Sequence, residues 1–428
     1  MLIQEVKIES VRSINTCHWS IPRDKAKGWH VVIGDNGSGK TTFLRSIALA
    51  LIGKLDAGGL RQSWSDWLTR GAKEGKIALR VSRNRHTDLV AASDSNSLGD
   101  PPQFGLKFAR TERSEPQVGL EQLASDIDPH RHVWYGGQGW FCASYGPFRR
   151  FAGNDPRDEK LYHSMPRLAR HLSLFDERIA LTESLEWLKN LKFAKLEGRS
   201  DHNLFDNLVR FVNDSDFLPA NVRLHDVSSR GVTFRDANDV DVDVMELSDG
   251  YRSILSMTFE LVRQMSLSFE ADALFDPQNG GTVTPEGVVL IDEVDAHLHP
   301  SWQRTVGRWF CKHFPNVQFI VSSHSPLVCQ SASEGSIFVL PRSGSRGEGR
   351  MLEGDEFHRL VYGNILDAYG TEAFGSETAA TRSEPSRKLH SRLAELNNKE
   401  IMKGLSTEER TEQVKLRAIL PSAASSMG

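Results

Sequence analysis

The 428-residue sequence is poor in cysteine, and its four thiols, Cys17, Cys142, Cys311 and Cys329, are scattered without close pairing. That spacing argues against a disulfide scaffold and a zinc ribbon and fits a reducing cytoplasm. Long apolar runs are also lacking. The longest, Ser46 to Gly53 (SIALALIG), is far below the ~20 residues that span a bilayer, so no membrane partner is expected. In the opening MLIQEVKIES, Glu5, Lys7 and Glu9 interrupt what an export signal would keep apolar. An excess of one charge sign is missing too: 52 Lys and Arg stand against 56 Asp and Glu, which argues against nucleic-acid affinity from bulk positive charge. No internal repeat is evident, and no heptad pattern runs long enough for an extended coiled-coil arm.

At about 150 residues per domain, the length predicts two or three lobes. Val6 to Ile14 alternates like a strand, and Trp29 to Ile33 (WHVVI) reads as a buried strand ending at Gly34. A glycine-rich loop follows, and Phe43, Leu44, Ile47, Ala48 and Leu51 then recur at helical spacing from Thr41 to Ile52. Strand-like pieces at Ile77–Val81 and Phe104–Phe108 predict an antiparallel side sheet around the SDSNSLGDPP loop. Leu168 to Leu196 and Leu204 to Phe217 predict a helical insertion. Val232 to Leu247 reads as a hairpin turning at Asp236–Asp239, and a helix starts at Ser248-Asp249-Gly250. Val288–Ile291 and Gln318–Val321, with an amphipathic helix at Trp302–His313 between them, predict a βαβ unit with central parallel strands. Beyond a Gly/Ser/Arg-rich stretch after about Arg342 the chain looks helical again, with Ser406 and Glu409 spaced as a capping box. The expected lobes are 1–150, 151–230 (the helical insertion), 231–345 and 346–428.

Gly34-Asp35-Asn36-Gly37-Ser38-Gly39-Lys40-Thr41 satisfies GxxxxGK[ST] with a strand before it and a helix after it. Such a loop turns consecutive N–H groups and a helix N-terminus on to phosphates. Lys40 would reach the β- and γ-phosphates of ATP, Thr41 would place its hydroxyl on Mg2+, and Thr42 belongs to the same cradle. Val288 to Ile291 ends in Asp292-Glu293. The first acid suits the Mg2+ shell and the second can polarise an attacking water. Ile320-Val321-Ser322-Ser323-His324-Ser325-Pro326 is a second strand, and it ends in a histidine that can face the γ-phosphate. Leu247-Ser248-Asp249-Gly250 by itself is a good helix start with free N–H groups.

With these motifs the chain resembles the ABC-class ATPases of the SMC and RecF type, compact heads that act in DNA maintenance and anti-phage defence, over roughly residues 1 to 345. The resemblance implies an α/β fold, a P-loop NTPase parallel sheet with an antiparallel side sheet, plus a helical insertion and a C-terminal helical extension. It implies an ATP hydrolase in which Glu293, His324 and Lys40 are catalytic. Gly34, Asn36, Gly37, Ser38, Gly39, Lys40, Thr41 and Thr42 would bind the nucleotide, and Thr41 and Asp292 would hold Mg2+. LSDGY resembles the ABC signature, so Ser248 and Gly250 would complete the site on a second protomer's nucleotide, and Asp295 in VDAHLHP would lie at the dimer seam. Gln138 in WYGGQGWF is the candidate for the glutamine loop, with an ordinary turn before a strand as the alternative. Arg12 matches an arginine such heads place near the nucleotide, and a solvated strand-end charge is the alternative. His297 and His299 lack a third ligand nearby in sequence, which argues against a metal there.

Among such ATPases the chain looks similar to those of Septu-type anti-phage systems, which work beside a separately encoded HNH nuclease. ASYGPFRR (Ala143 to Arg150), IDEVDAHLHP and SSHSP carry that likeness. It implies a cytoplasmic ATPase that forms a homodimer on ATP binding and regulates such a nuclease, with higher oligomers and direct DNA contact left open. A RecF-like repair ATPase that clamps DNA is the alternative, and an assembly scaffold with little hydrolysis is a third reading. Glu353-Gly354-Asp355 only superficially resembles the start of a TOPRIM nuclease. Local basic clusters exist, Arg149 and Arg150 with Arg167 and Arg170, and Arg80, Arg83 and Arg85; most such clusters are solvated faces, and they do not decide whether DNA is bound.

Overall fold

The computed structural model describes the chain except residues 83–102, 111–116, 126–127, 130–132, 135–139, 150, 152–163, 180, 182, 199–201, 215–217, 219–221, 277, 279–280, 346, 365–367, 369–370, 375–383 and 420–428. The chain divides into two compact units, Met1–Ala368 and Tyr369–Gly428.

Three sheets build the first unit. The side sheet has the order β2-β1-β4-β5-β6, all antiparallel, from β1 (Leu2–Val11), β2 (Ile14–Ser20), β4 (Glu74–Ser82), β5 (Gln103–Arg110) and β6 (Val118–Gln122). The main sheet contains β3 (Gly28–Ile33), β7 (Phe141–Tyr145), β11 (Gly287–Ile291), β12 (Val317–Ser322), β13 (Ser336–Val339) and β14 (Arg350–Met351), in the order β14-β13-β3-β12-β11-β7. All its pairings are parallel except that of the edge strand β14. The third sheet is small, β10-β9-β8, made of β8 (Arg223–Val227), β9 (Val232–Arg235) and β10 (Asp241–Asp243). Asp236 stabilises its hairpin turn by accepting the N–H groups of Asn238 and Val240 at 2.8 and 3.0 Å.

Every residue of β11 and β12, and all of β3 after Gly28, is buried. With both faces covered, these strands show continuous apolar runs rather than alternation. Helix α1 (Lys40–Ile52) packs on β7, β11 and β12 of the main sheet and on β1, β4 and β5 of the side sheet. Enclosure between two sheets explains why its sequence is apolar nearly all round. Helices α2 (Glu183–Leu196) and α3 (His202–Asp214) pack on each other, α4 (Asp249–Ser266) contacts α2 and β7, and α5 (Pro300–His313) packs on β3. Trp29 of β3, Phe310 of α5 and Phe319 of β12 form one aromatic cluster, with ring centroids 5.1 to 6.1 Å apart. After β14 comes α6 (Gly354–Tyr362), with Glu353 at its N-cap.

Two expected elements differ in the structure. The single strand read from Val6 to Ile14 is two strands, β1 and β2, because Arg12 adopts a left-handed backbone (φ 51°) and pairs Val11 with Ile14 across a tight turn. The helical run read from Leu168 to Leu196 is broken into Pro166–Ala169, Leu172–Phe175 and α2. Asp176 makes the break by accepting the Arg178 N–H at 3.0 Å, a local turn that competes with helix.

In the second unit, α7 (Glu384–Lys403) and α8 (Thr407–Ile419) form a helical hairpin. Ser406 and Glu409 form a reciprocal capping box, each side chain accepting the other's backbone N–H at 3.2 and 3.0 Å. Arg392–Glu412 and Lys399–Glu409 ion pairs bridge the helices.

Candidate functional site

Because β3, β12 and β11 are adjacent and parallel, their C-terminal ends share one edge of the sheet. Loop 34–39 leaves β3 there, Asp292-Glu293 leaves β11, and His324 follows β12 by two residues. Parallel sheets bind ligands at this edge.

The loop wraps tightly against the side sheet. Gly39 is the N-cap of α1 with φ 101°, and a Cβ there would come within 3.0 Å of Ser13 and Ile14. Only glycine accommodates both the backbone and the β1–β2 turn. Lys40 is 6% exposed, and its Nζ donates to the carbonyls of Gly34 (2.7 Å) and Asp35 (3.1 Å). Burial lowers its pKa, and the nearby charges of Asp292, Glu293, Asp35 and Asp295 oppose that shift. Ser38 is buried, and its hydroxyl has no partner. A buried ammonium held only by neutral carbonyls, beside an orphaned hydroxyl, is a donor set prepared for an anion. Asn36 and Gly37 are exposed, Thr41 is half-buried and Thr42 is buried. The residues present therefore fit a phosphate chain.

Asp292 is 1% exposed. Its N–H donates to Tyr145 O at 2.8 Å, and its Oδ1 accepts the Ser322 hydroxyl. The same Ser322 Oγ accepts the Glu293 N–H at 2.8 Å. Ser322 thus ties both acids to the end of β12, a role that the sequence reading did not assign. Glu293 is half-buried and left-handed (φ 44°), a conformation costly for a non-glycine residue. His324 is exposed. In the loop after Glu293, Asp295 Oδ1 is buried without a partner. His299 Nδ1 caps α5 by accepting the Ser301 N–H at 3.3 Å, so its role here is a helix cap.

Ser248 and Gly250 do not come from this edge. Ser248 is the exposed N-cap of α4, and its side chain makes no capping hydrogen bond. A Cβ on Gly250 would approach the His297 carbonyl to 2.8 Å, so α4 starts in close contact with the loop that follows Glu293. Arg12 lies on the β1–β2 turn that touches Gly39, but its guanidinium sits 4.3 Å over the Trp67 ring and its N–H donates to Trp67 O at 2.8 Å. Gln138 lies outside the described residues.

Arg149 is the residue the sequence reading misplaced. It is not part of a solvated basic face: it is 5% exposed and lies against the backbone that follows β11. Its Nε donates to Ser253 Oγ at 3.0 Å, Nη1 to the carbonyls of Asp292 (2.9 Å) and Gly146 (3.2 Å), and Nη2 to the Glu293 carbonyl at 3.1 Å. Burial lowers its pKa to about 10, against the opposing charges of Asp292, Asp295 and Glu293. Arg167 and Arg170 are likewise engaged, the first with Asp56 at 3.3 Å and the second with Ser268 at 2.8 Å and over the Phe141 ring. Arg80 pairs with Glu5 at 3.2 Å, while Arg83, Arg85 and Arg150 lie outside the described residues. No helix among the described residues is long and apolar enough to cross a membrane.

The chain is 26% identical over 341 residues to the Septu protein PtuA of Bacillus mycoides (strain KBAB4), covering 79% of this chain and 40% of that protein. It is 33% identical over 155 residues to the retron Ec83 probable ATPase of Escherichia coli, covering 35% of this chain and 27% of that one. The chain thus spans less than half the length of either relative. The SMC head domain from Thermotoga maritima matches 83% of this chain and 100% of its own with a TM-score of 0.43 and 14% identity. The family model described as AAA domain, putative AbiEii toxin, Type IV TA system matches residues 30–330, which contain the phosphate loop, both acids and His324. The chain belongs to that family.

Proposed function

We propose that the protein binds Mg2+-ATP on loop 34–41 and hydrolyses it as a head-to-head pair, and that the pairing controls a separately encoded nuclease in anti-phage defence. One observation carries the reading: the phosphate loop, Asp292-Glu293 and His324 leave the C-terminal ends of three adjacent parallel strands. Lys40 would exchange its loop carbonyls for phosphate oxygens, and the Ser38 hydroxyl would gain the partner it lacks. Thr41 and Asp292 would hold Mg2+, which supplies neutralisation of the charge that develops on the phosphates. Glu293 would orient and polarise the attacking water, with His324 at the γ-phosphate. Ser248, exposed and with its hydroxyl uncommitted to its own helix, would reach the nucleotide of the partner, as would the N–H of Gly250.

Under this reading ATP favours the pair and hydrolysis releases it, a population shift driven by the γ-phosphate. The insertion (151–230) and the extension (346–428) would carry the change to the nuclease, since neither contains a phosphate-binding motif. The names of the relatives, a Septu protein and a retron ATPase, support the defence setting. The test compares Lys40→Ala, expected to lose ATP binding, with Glu293→Gln, expected to bind ATP and not turn it over. Unchanged turnover in both would overturn the reading. Binding of duplex DNA by the ATP-bound pair alone, falling steeply with salt, would favour the DNA-clamp alternative.

A further inference from the structure

We infer that Arg149 is a positioning residue that ties the first turns of α4 to the backbone of the catalytic acids, so that a displacement of α4 is felt at Glu293 of the same chain. This rests on the roles proposed above for Glu293 and for the start of α4.

Glu293 holds a left-handed conformation that a non-glycine residue keeps only when its surroundings enforce it. Both ends of the residue are pinned. Its N–H is held by Ser322 Oγ at 2.8 Å, and its carbonyl accepts from Arg149 Nη2 at 3.1 Å and from the Ala296 N–H at 2.9 Å. The preceding carbonyl, that of Asp292, is held by Arg149 Nη1 at 2.9 Å. The planar guanidinium therefore fixes two successive carbonyls that flank the reacting carboxylate's own backbone.

Its third direction leads elsewhere. Nε donates to Ser253 Oγ, which is 2% exposed and one turn inside α4 from the exposed Ser248. A lysine donates all its N–H groups from one nitrogen, whereas these acceptors are met by three separate nitrogens of the fork. The close approach of Gly250 to the His297 carbonyl is a second contact between α4 and this loop. Engagement of Ser248 by a second protomer's nucleotide would thus bear on the geometry of the chain's own Glu293.

The test is a double-mutant cycle on the full chain with two readouts, the Kd for ATP and steady-state kcat. Arg149→Met is expected to lower kcat ten- to a hundredfold with the Kd for ATP within twofold, and Arg149→Lys to recover part of the loss. Ser253→Ala keeps both carbonyl contacts and removes the link to α4, so it is expected to lower kcat three- to tenfold and to cost nothing further in the Arg149→Met background. If Arg149→Met fails to fold, Arg149→Lys takes its place in the cycle. A kcat within twofold of wild type in Arg149→Met, a parallel loss of ATP affinity, or losses that simply multiply would overturn the coupling. A wild-type chain without turnover would sink the proposed function along with it, whereas normal turnover that ignores Arg149 would sink the coupling alone.

Discussion

Helices α1 and α4 both start on a serine and a glycine, and their surroundings differ in every respect. The start of α1 is enclosed between two sheets, with Ser38 and Lys40 buried and Gly39 packed against the β1–β2 turn. The start of α4 is open: Ser248 is exposed, its hydroxyl leaves its own helix uncapped, and Asp249 is paired with Arg252. Under the proposed function the first would be a phosphate receptor within one chain, and the second a donor set for the nucleotide of the partner.

The sharpest way to break this contrast is at Glu293, the proposed water-polarising acid. Glu293→Gln should lower turnover by about 10²–10⁴-fold while ATP still binds, as single-turnover and equilibrium binding measurements would show. Lys40→Ala should weaken ATP binding on the order of a hundredfold, because it removes the only charged donor of the loop. Ser248→Arg should leave ATP affinity unchanged and lower turnover by roughly tenfold or more, since it blocks the open half alone; weaker ATP binding in this variant would show that α4 serves its own chain's nucleotide.

Smaller effects separate catalysis from folding. His30 and His171 are fully buried in the first unit, and burial lowers their pKa to about 4 and about 3. Contacts of His30 with the backbone at Ala26 and Lys27 oppose its shift, while Arg170 and Arg167 add to that of His171. The unfolded imidazole titrates near 6.5. The stability of these neutral rings is thus complete above that pH and is lost progressively as pH falls from about 6.5 toward 3 to 4, where the unfolded chain binds protons that the native chain refuses. Thermal melts should show a lower Tm at pH 5 than at pH 7.5, and an unchanged Tm would contradict this. The least effect belongs to Ser406→Ala, which should cost some helicity in the tail hairpin by circular dichroism and leave turnover unaffected.

The enclosed half was legible in the sequence because its cues are local. WHVVI leads into a glycine loop and a helix, VVLI into two acids, and FIVSS into a histidine, so each strand announces its own candidate residue. The βαβ pattern made β11 and β12 parallel neighbours, whereas the place of β3 beside β12 has no local cue. The β1–β2 turn was missed because Arg12 and Ser13 carry no glycine or asparagine to signal a left-handed residue. Arg149 and Ser322 were missed for a deeper reason: their partners are backbone groups or side chains distant in the chain, Asp292 and Glu293 for the one and the same acids from the neighbouring strand for the other. A main-chain carbonyl leaves no mark on the sequence, so a buried arginine serving three of them is indistinguishable from a surface charge.

Sedimentation velocity on Glu293→Gln with ATP and Mg2+, with and without Ser248→Arg in the same chain, tests the central claim most directly. The single variant should sediment as a dimer, and the double variant as a monomer with its ATP affinity intact. A dimer that survives Ser248→Arg, or a Glu293→Gln chain that stays monomeric with ATP bound, would contradict a nucleotide shared between two copies.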